Sequence, residues 1–356
     1  MSALLVPGEH VVVRLPNWLG DAVMAEPVVA ALAARQRVRL VAPAKVLAAF
    51  PAFAADDASV ALSPGEPERA RHYAGARAAL LLNGSLSSVF AAFTAGVPVR
   101  AGFASSGRRF LLTHTLDPAR ERGGCVPGRG VHGRGARALP RPFTQACREL
   151  AALLGARVER VEPRLAPAAE VLERVRARRV ELGLHAPFLL VNAGARPDSA
   201  KGVPAATLAR AVERVSAELG LAVVLACGPG EEARARATRD ELRATCTLLD
   251  APPPGVAELV AWTAEAACVL GPDNGARHVA QALGRRTIVL CGPTDPRHTD
   301  EHAPTTRVVR AEVECGPCHA ERCPRAADAL ACFTRIPIDE VAAAARALVE
   351  SETPSA

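Results

Sequence analysis

With 356 residues the chain is too long for one ordinary hydrophobic core, and two α/β domains are expected. Nearly half of the residues are apolar, only 3% are aromatic, and no run of 18 apolar residues occurs, which argues against a membrane-spanning helix and for cores of Ala, Val and Leu. The net charge of +6 is uneven, with 21 Lys and Arg against 12 Asp and Glu in residues 1–165 and 22 against 25 in the remainder, so the first half is suited to a polyanion; the scarcity of aromatic stacking platforms excludes nucleic acid and leaves a phosphorylated small molecule or an anionic membrane surface.

Residues 1–10 carry neither a charged leader region nor a cleavage site, so a cytoplasmic protein is expected. Residues 10–15 read as a first strand, followed by Asn17-Trp18-Leu19-Gly20-Asp21 and a helical run over 22–35 that Pro27 should kink or restart. Asp21 then lies at the carboxyl end of the first strand, where open α/β sheets bind ligands. It is either a helix cap or a general base for an acceptor hydroxyl, a role worth about 10²–10⁴ in rate. Strand-like runs at 38–41, 59–62, 79–82 and 97–101 alternate with helical runs at 44–50, 67–74 and 85–95, the pattern of a parallel sheet covered on both faces. Residues 100–141 interrupt it as a long basic loop containing Arg108 and Arg109, either a solvated surface or a clamp for acceptor phosphates. A helix over 142–154 closes this half.

A linker at 159–167 and a charged helix over 168–184 lead to the apolar strand 188–192. The loop after it holds Gly194 and Lys201. The chain has 41 Arg and two Lys, so a lysine in this Gly-containing loop suggests a compact charge for a phosphate group, with a chance surface lysine as the alternative. A strand over 221–226 ends in Cys227-Gly228-Pro229-Gly230-Glu231, where Glu231 either accepts from a ribose or base or complements a helix dipole. Next comes a strand over 268–270 and then Gly271-Pro272-Asp273-Asn274-Gly275, a turn opening a helix with Asp273 or Asn274 as N-cap. Ala276, Val279, Ala280 and Leu283 form its buried stripe; Asn274, His278 and Gln281 form a separate polar stripe expected to meet a ligand. A strand over 286–290 ends in Cys291-Gly292-Pro293-Thr294-Asp295-Pro296. Three such loops on one sheet edge point to a nucleotide-diphosphate site.

These motifs resemble glycosyltransferase family 9, the lipopolysaccharide heptosyltransferases, and the heptosyltransferase II branch in particular. The resemblance rests on residues 17–21, Gly194 to Lys201, Asp273 through Leu283, and residues 292–296. It implies the GT-B α/β fold, two Rossmann-like domains with parallel sheets facing a central cleft, here 1–165 for the acceptor and 166–335 for the nucleotide sugar, with a C-terminal helix and tail at 336–356. It also implies inverting transfer of heptose from ADP-heptose to an anionic glycolipid, the lipopolysaccharide inner core, with peripheral contact at the inner membrane surface and neither metal nor cofactor. No Asp-x-Asp motif is evident. By this resemblance Asp21 is the base and Lys201 holds the donor diphosphate. Gly194, Glu231, Asp273, Asn274, Gly275 and His278 bind the donor, and Asn17, Trp18, Arg108 and Arg109 the acceptor. Two departures lie on the donor side: Lys201 is followed by Gly202-Val203-Pro204 instead of an aromatic-Pro pair, and Asn274 stands where relatives have Ser or Thr. They leave another nucleotide sugar as the alternative donor; a non-catalytic nucleotide-sugar binder is the alternative from another class.

Of ten cysteines, six are scattered and read as small core residues. Cys315, Cys318, Cys323 and Cys332 have the count for structural zinc, but the resemblance favours structural thiols. The helix over 338–349 is expected to pack back across the domain junction, ahead of a frayed tail at 351–356.

Overall fold

The computed structural model describes residues 5–54, 58–63, 67–105, 107–117, 120–121, 137–138, 141–196, 198–299 and 304–350, with only the backbone of 120–121 and 137–138. The described residues fall into two compact units. The first takes those of Met1–Glu121, Ala138–Arg164 and Arg297–His302; the second takes those of Arg122–Arg137, Leu165–Pro296 and Ala303–Ala356.

In the first unit β1 (His10–Arg14), β2 (Arg37–Pro43), β3 (Ser59–Leu62), β4 (Ala78–Leu81), β5 (Val99–Phe103) and β6 (His114–Leu116) form one sheet in the order β3-β2-β1-β4-β5-β6. All neighbours are parallel. The central strands bury both faces, which is why Val11, Val12 and Val13 run without alternation. Helices α1 (Leu19–Met24), α2 (Glu26–Ala33), α3 (Ala44–Leu47), α4 (Leu86–Thr94) and α5 (Phe143–Ala152) complete the unit. Pro27 acts as expected: α1 ends at Ala25 and α2 restarts with the proline in its first turn. Glu26 beside it receives both Arg160 guanidinium nitrogens at 2.8 Å and the Arg164 N–H at 2.7 Å, tying down the expected linker.

Two expectations change here. Residues 67–74 form only a 3-10 turn over Ala70–Tyr73, preceded by Glu68, whose side chain is held inward by Arg14, Tyr73 and Ser88. The expected loop at 100–141 folds at its start, where Phe103 ends β5, Arg108–Leu111 make a second 3-10 turn, and β6 adds an edge strand. Further on, β7 (Arg120–Glu121) and β8 (Arg137–Ala138) pair with each other; Arg122, Arg129 and Arg134 lie outside the described residues.

In the second unit α6 (Ala169–Glu181) leads into a repeat of the same order. Strands β9 (Phe188–Asn192), β10 (Ala222–Ala226), β11 (Cys246–Leu249), β12 (Cys268–Pro272), β13 (Arg286–Leu290) and β14 (Thr306–Val309) line up as β11-β10-β9-β12-β13-β14, again parallel. The helices are α7 (Ala205–Leu219), α8 (Glu232–Glu241), α9 (Val256–Glu265), α10 (Gly275–Ala282), α11 (Ala331–Thr334) and α12 (Ile338–Glu350). Leu208, Ala211, Val212 and Val215 give α7 a buried stripe, and Gly220 in the left-handed region ends it. The stripe meets Val341, Ala345 and Leu348 of α12, so the final helix joins the core of the second unit. Within the second unit α12 spends its apolar face on α7.

Both sheets follow the doubly-wound order 3-2-1-4-5-6, whose direction reverses between the first and fourth strands. Ligand crevices are thus expected beyond the carboxyl ends of β1 and β4, and of β9 and β12. One loop near the second edge is braced from below, since a Cβ on Gly292 would stand 2.4 Å from the Phe333 ring. Phe333 is fully buried. Phe333→Ala is expected to cost about 3–5 kcal/mol in urea unfolding, as buried aromatic truncations do.

Candidate active site

At the second unit's switch point, Asn192 terminates β9 and Asn274 opens α10. Asn192 Nδ2 donates to Asn274 Oδ1 at 3.1 Å, while Asn192 Oδ1 accepts the Gly194 N–H at 3.0 Å. Asn274 Oδ1 also accepts the Ala276 N–H at 3.1 Å, so Asn274 is the N-cap. Gly271 permits this closeness: a Cβ there would meet Asn192 Cβ at 3.0 Å. Asn192 was not singled out from sequence; its one signal was a polar residue ending an apolar strand.

Asp273 is not the cap. Its Oδ2 accepts from Thr294 Oγ1 at 2.6 Å and its Oδ1 faces Arg277 Nε at 2.9 Å, all three side chains being buried. Burial alone would raise its pKa, but Arg277, then His278, the Thr294 hydroxyl and Lys201 outweigh this and hold it below the usual carboxylate value. His278 is pushed down to about 3, chiefly by burial and next by Arg277, with Lys201 adding to the shift and Asp273 and Gln281 opposing it. The imidazole is therefore neutral near pH 7. Gln281 also donates to Thr306 Oγ1 at 3.1 Å. Along the polar stripe Asn274 and Gln281 are half-buried and His278 is buried beside the Asp273–Arg277 pair.

Lys201 acts electrostatically on both Asp273 and His278, so the sequence-predicted lysine shares a neighbourhood with the predicted turn and helix. Its loop is short and tied: Lys201 N–H reaches Ser199 Oγ at 3.3 Å, and Gly202 N–H reaches the Ser199 carbonyl at 3.0 Å. Arg234 of α8 lies against Gly202, where a Cβ would stand 2.6 Å from its Cζ. Glu231 sits at the start of α8, accepts the Gly228 N–H at 2.9 Å, and presses on Gly194, where a Cβ would be 1.9 Å from Glu231 Oε2. Gly194 is a glycine so that the carboxylate can lie on the backbone.

The first unit gathers its own set beyond β1 and β4. Arg14 is buried and pairs with Glu68 at 2.9 Å; its Nη2 donates to Asn17 Oδ1 at 2.8 Å. Glu68 also accepts from Tyr73 Oη at 2.6 Å and Ser88 Oγ at 2.9 Å, and Ser88 accepts from Asn83 Nδ2 at 2.6 Å. Burial, then Glu68, raises the Tyr73 pKa well above its usual value. This network fixes the loop of Asn17 and exposed Trp18, with Lys45 Nζ 6.0 Å from the Trp18 ring. Asp21 stands half-buried in the first turn of α1, and its charge reaches Cys147 on α5, whose thiol is raised mainly by burial.

Arg108 departs from expectation. It is 0% exposed, and its guanidinium donates to the carbonyls of Phe103 at 2.9 Å, Ser85 at 3.0 Å and Leu81 at 3.5 Å. Burial lowers its pKa to about 10. The reason is the 3-10 turn, which points Arg108 inward and leaves Arg109 outside in a 2.7 Å pair with Asp117.

The profile of glycosyltransferase family 9 (heptosyltransferase) matches residues 138–327, more than half of the chain. The chain belongs to glycosyltransferase family 9. No curated protein sequence matches it. Among solved structures, the family 9 glycosyl transferase from Veillonella parvula DSM 2008 is similar at TM-score 0.76 and 14% identity, over 99% of this chain and 100% of that one. The E. coli ADP-heptose lps heptosyltransferase II follows at 0.71 and 20%, over 96% and 99%. E. coli heptosyltransferase WaaC with ADP-2-deoxy-2-fluoro heptose follows at 0.62 and 18%, over 97% and 100%. These likenesses give the glycosyltransferase its GT-B fold, two Rossmann-like units.

In this family 9 enzyme the matched segment contains Gly194, Lys201, Glu231, Asp273, Asn274, Gly275 and His278, whereas Asn17, Trp18 and Asp21 lie before it. The four late cysteines cluster beside α11. Burial pushes the Cys332 thiol up to about 11, with Cys318, Cys315 and Cys323 adding to the effect, and Cys323 Sγ accepts the Leu330 N–H at 3.4 Å. Among the described residues no group of three or more His, Cys, Asp or Glu is arranged to hold a metal ion.

The depressed His278 value makes a pH prediction. Its folded pKa lies below the ordinary 6.5, so its contribution is present above pH 6.5 and is lost as pH falls toward 3. Between about pH 7.5 and about pH 5 the protein should lose about 2 kcal/mol more than a His278→Asn variant does. Urea unfolding of both proteins at the two pH values measures the difference.

Proposed function

We propose that this glycosyltransferase moves a heptose, with inversion, from ADP-heptose to the inner core of lipopolysaccharide, working in the cytoplasm in peripheral contact with the inner face of the membrane. The gathering of Lys201, Asp273 and His278 at the start of α10, on the switch-point edge, carries this reading. A departing diphosphate there meets the Lys201 ammonium and the partial positive charge of the helix end, about half a unit. Gly194 lets the Glu231 carboxylate lie on the loop after β9, and Glu231 accepts from the adenosine ribose. Gly275 keeps the first turn of α10 open to phosphate oxygens. His278, neutral, holds the interior of the turn in one protonation state while charge builds beside it. In the first unit Asp21 takes the proton of the acceptor hydroxyl, and Asn17, Trp18 and Arg109 line the acceptor's path; Arg108 shapes the loop without touching the acceptor. The names of similar proteins support the donor: one is an ADP-heptose lps heptosyltransferase, another was solved with an ADP-heptose analogue. No helix among the described residues is long and apolar enough to cross a membrane.

The departures after Lys201 and at Asn274 favour a second reading, the same chemistry with another nucleotide sugar. Purified protein given ADP-heptose and an inner-core acceptor separates the two readings by mass spectrometry of the product. Transfer from a UDP- or GDP-linked sugar but not from ADP-heptose would replace the first with the second. Asp21→Asn should lower the transfer rate by about 10²–10⁴ while leaving ADP affinity within about twofold. Gly194→Ala should do the reverse: the added methyl displaces Glu231, and calorimetry should show ADP bound about tenfold more weakly, a loss of about 1.4 kcal/mol.

A further inference from the structure

Helix α4 carries Leu86, Phe90 and Phe93 at i, i+4 and i+7, one stripe of the helix, and the stripe faces outward. Phe90 is 59% and Phe93 50% exposed in the whole chain; Phe110, on the 3-10 turn after β5, is 78% exposed. Three of nine phenylalanines thus stand in water on one small region of a chain with few aromatics. Surface helices ordinarily oppose their buried stripe with charge. Residues 78–99, which include all of α4, contain no charged side chain.

The stripe and Phe110 belong to one surface. Arg108 Nη1 donates to the carbonyl of Ser85, the N-cap of α4, and so fixes the turn of Phe110 beside the start of the helix. At the other end Arg100 lies 5.3 Å from the Phe93 ring centroid and donates to the Leu111 carbonyl at 2.7 Å. The surrounding charge is positive: with Arg108 and Glu68 both buried, residues 68–117 leave Arg69, Arg71, Arg77, Arg100 and Arg109 against Asp117. The start of α4 and the turn of Phe110 follow the carboxyl ends of β4 and β5, the sheet edge that also carries Asn17, exposed Trp18 and Asp21.

We infer that the α4 stripe with Phe110 is the surface by which this protein docks on an anionic lipid bilayer. Aromatic rings settle at the level of the headgroups, and an uncharged helical face enters the acyl boundary while arginines at its rim meet anionic headgroups. The inference rests on the proposed glycolipid acceptor, because it brings that acceptor's membrane to the edge holding Asp21.

The test is sedimentation of the full chain with vesicles of phosphatidylcholine alone or with about a third phosphatidylglycerol. Wild type should sediment with the anionic vesicles, less so at high salt, and a triple variant Phe90→Ser, Phe93→Ser, Phe110→Ser should partition about tenfold less. Circular dichroism and ADP titration check that the variant is folded, and its transfer to a deacylated, water-soluble acceptor should equal that of wild type. Equal sedimentation of both proteins would overturn the proposal. So would a wild type that ignores vesicles but self-associates in light scattering, with the variant monomeric, since the face would then belong to a second copy. Loss of sugar transfer from ADP-heptose by both proteins would sink the catalytic reading and leave the vesicle result standing.

Discussion

The contact between Asn192 and Asn274 holds the second unit's crevice in register. The connections leaving the paired strands β9 and β12 run to opposite sides of the sheet, and something must satisfy the polar backbone exposed between them. Asn192 spends its carbonyl on Gly194 N–H and its amide on Asn274, whose own carbonyl caps α10. One pair of side chains therefore fixes the start of the Lys201 loop and the start of the helix against each other. Gly271 and Gly194 follow from that constraint: at either position a Cβ would intrude on Asn192 or Glu231.

Each unit also places a buried arginine–carboxylate pair beside the corresponding edge, Arg14–Glu68 in the first and Arg277–Asp273 in the second, both at 2.9 Å. Burying two charges gains little over apolar packing, and losing one partner leaves the other stranded at several kcal/mol. Such pairs are retained where they fix geometry. Glu68 collects Tyr73 and Ser88 as well as Arg14, and Arg14 passes the constraint to Asn17. Asp273 collects Thr294 as well as Arg277, joining the loop after β13 to the loop after β12.

Strong periodicity made most of the fold legible. The apolar strands around Val11, Leu189 and Val269 and the caps and glycines after them announce a doubly-wound sheet twice over. Of the short edge strands only β3 was legible; β6, β11 and β14, three or four residues each, offer too few positions for a period to show. Lys201 and Asp273, which interact in the second unit, and Asp21, half-buried at the start of α1, were visible from their place after a strand. Arg14, Glu68 and Asn192 were not, since what makes them matter is a partner distant in sequence. Arg108 misled for the same reason: among so many arginines its composition said surface, whereas three backbone carbonyls reachable only in the fold draw it inside. On α10 the period located the stripe but not its depth: His278 is buried, while Asn274 and Gln281 are half-buried.

The choice of lysine at position 201 follows from the same accounting of charge. Asp273 already has both oxygens engaged, one by the Arg277 guanidinium and one by the Thr294 hydroxyl. His278 is neutral near pH 7 because burial and Arg277 deny it a proton. The carboxylate and Arg277 cancel, and Lys201 leaves the group with one net positive charge. An arginine at 201 would present a planar fork able to compete with Arg277 for the Asp273 carboxylate. An ammonium on a flexible stem is a poorer competitor for that carboxylate, whose two oxygens Arg277 and Thr294 hold one each. In a chain that otherwise uses arginine almost throughout, the lysine leaves the internal ion pair undisturbed.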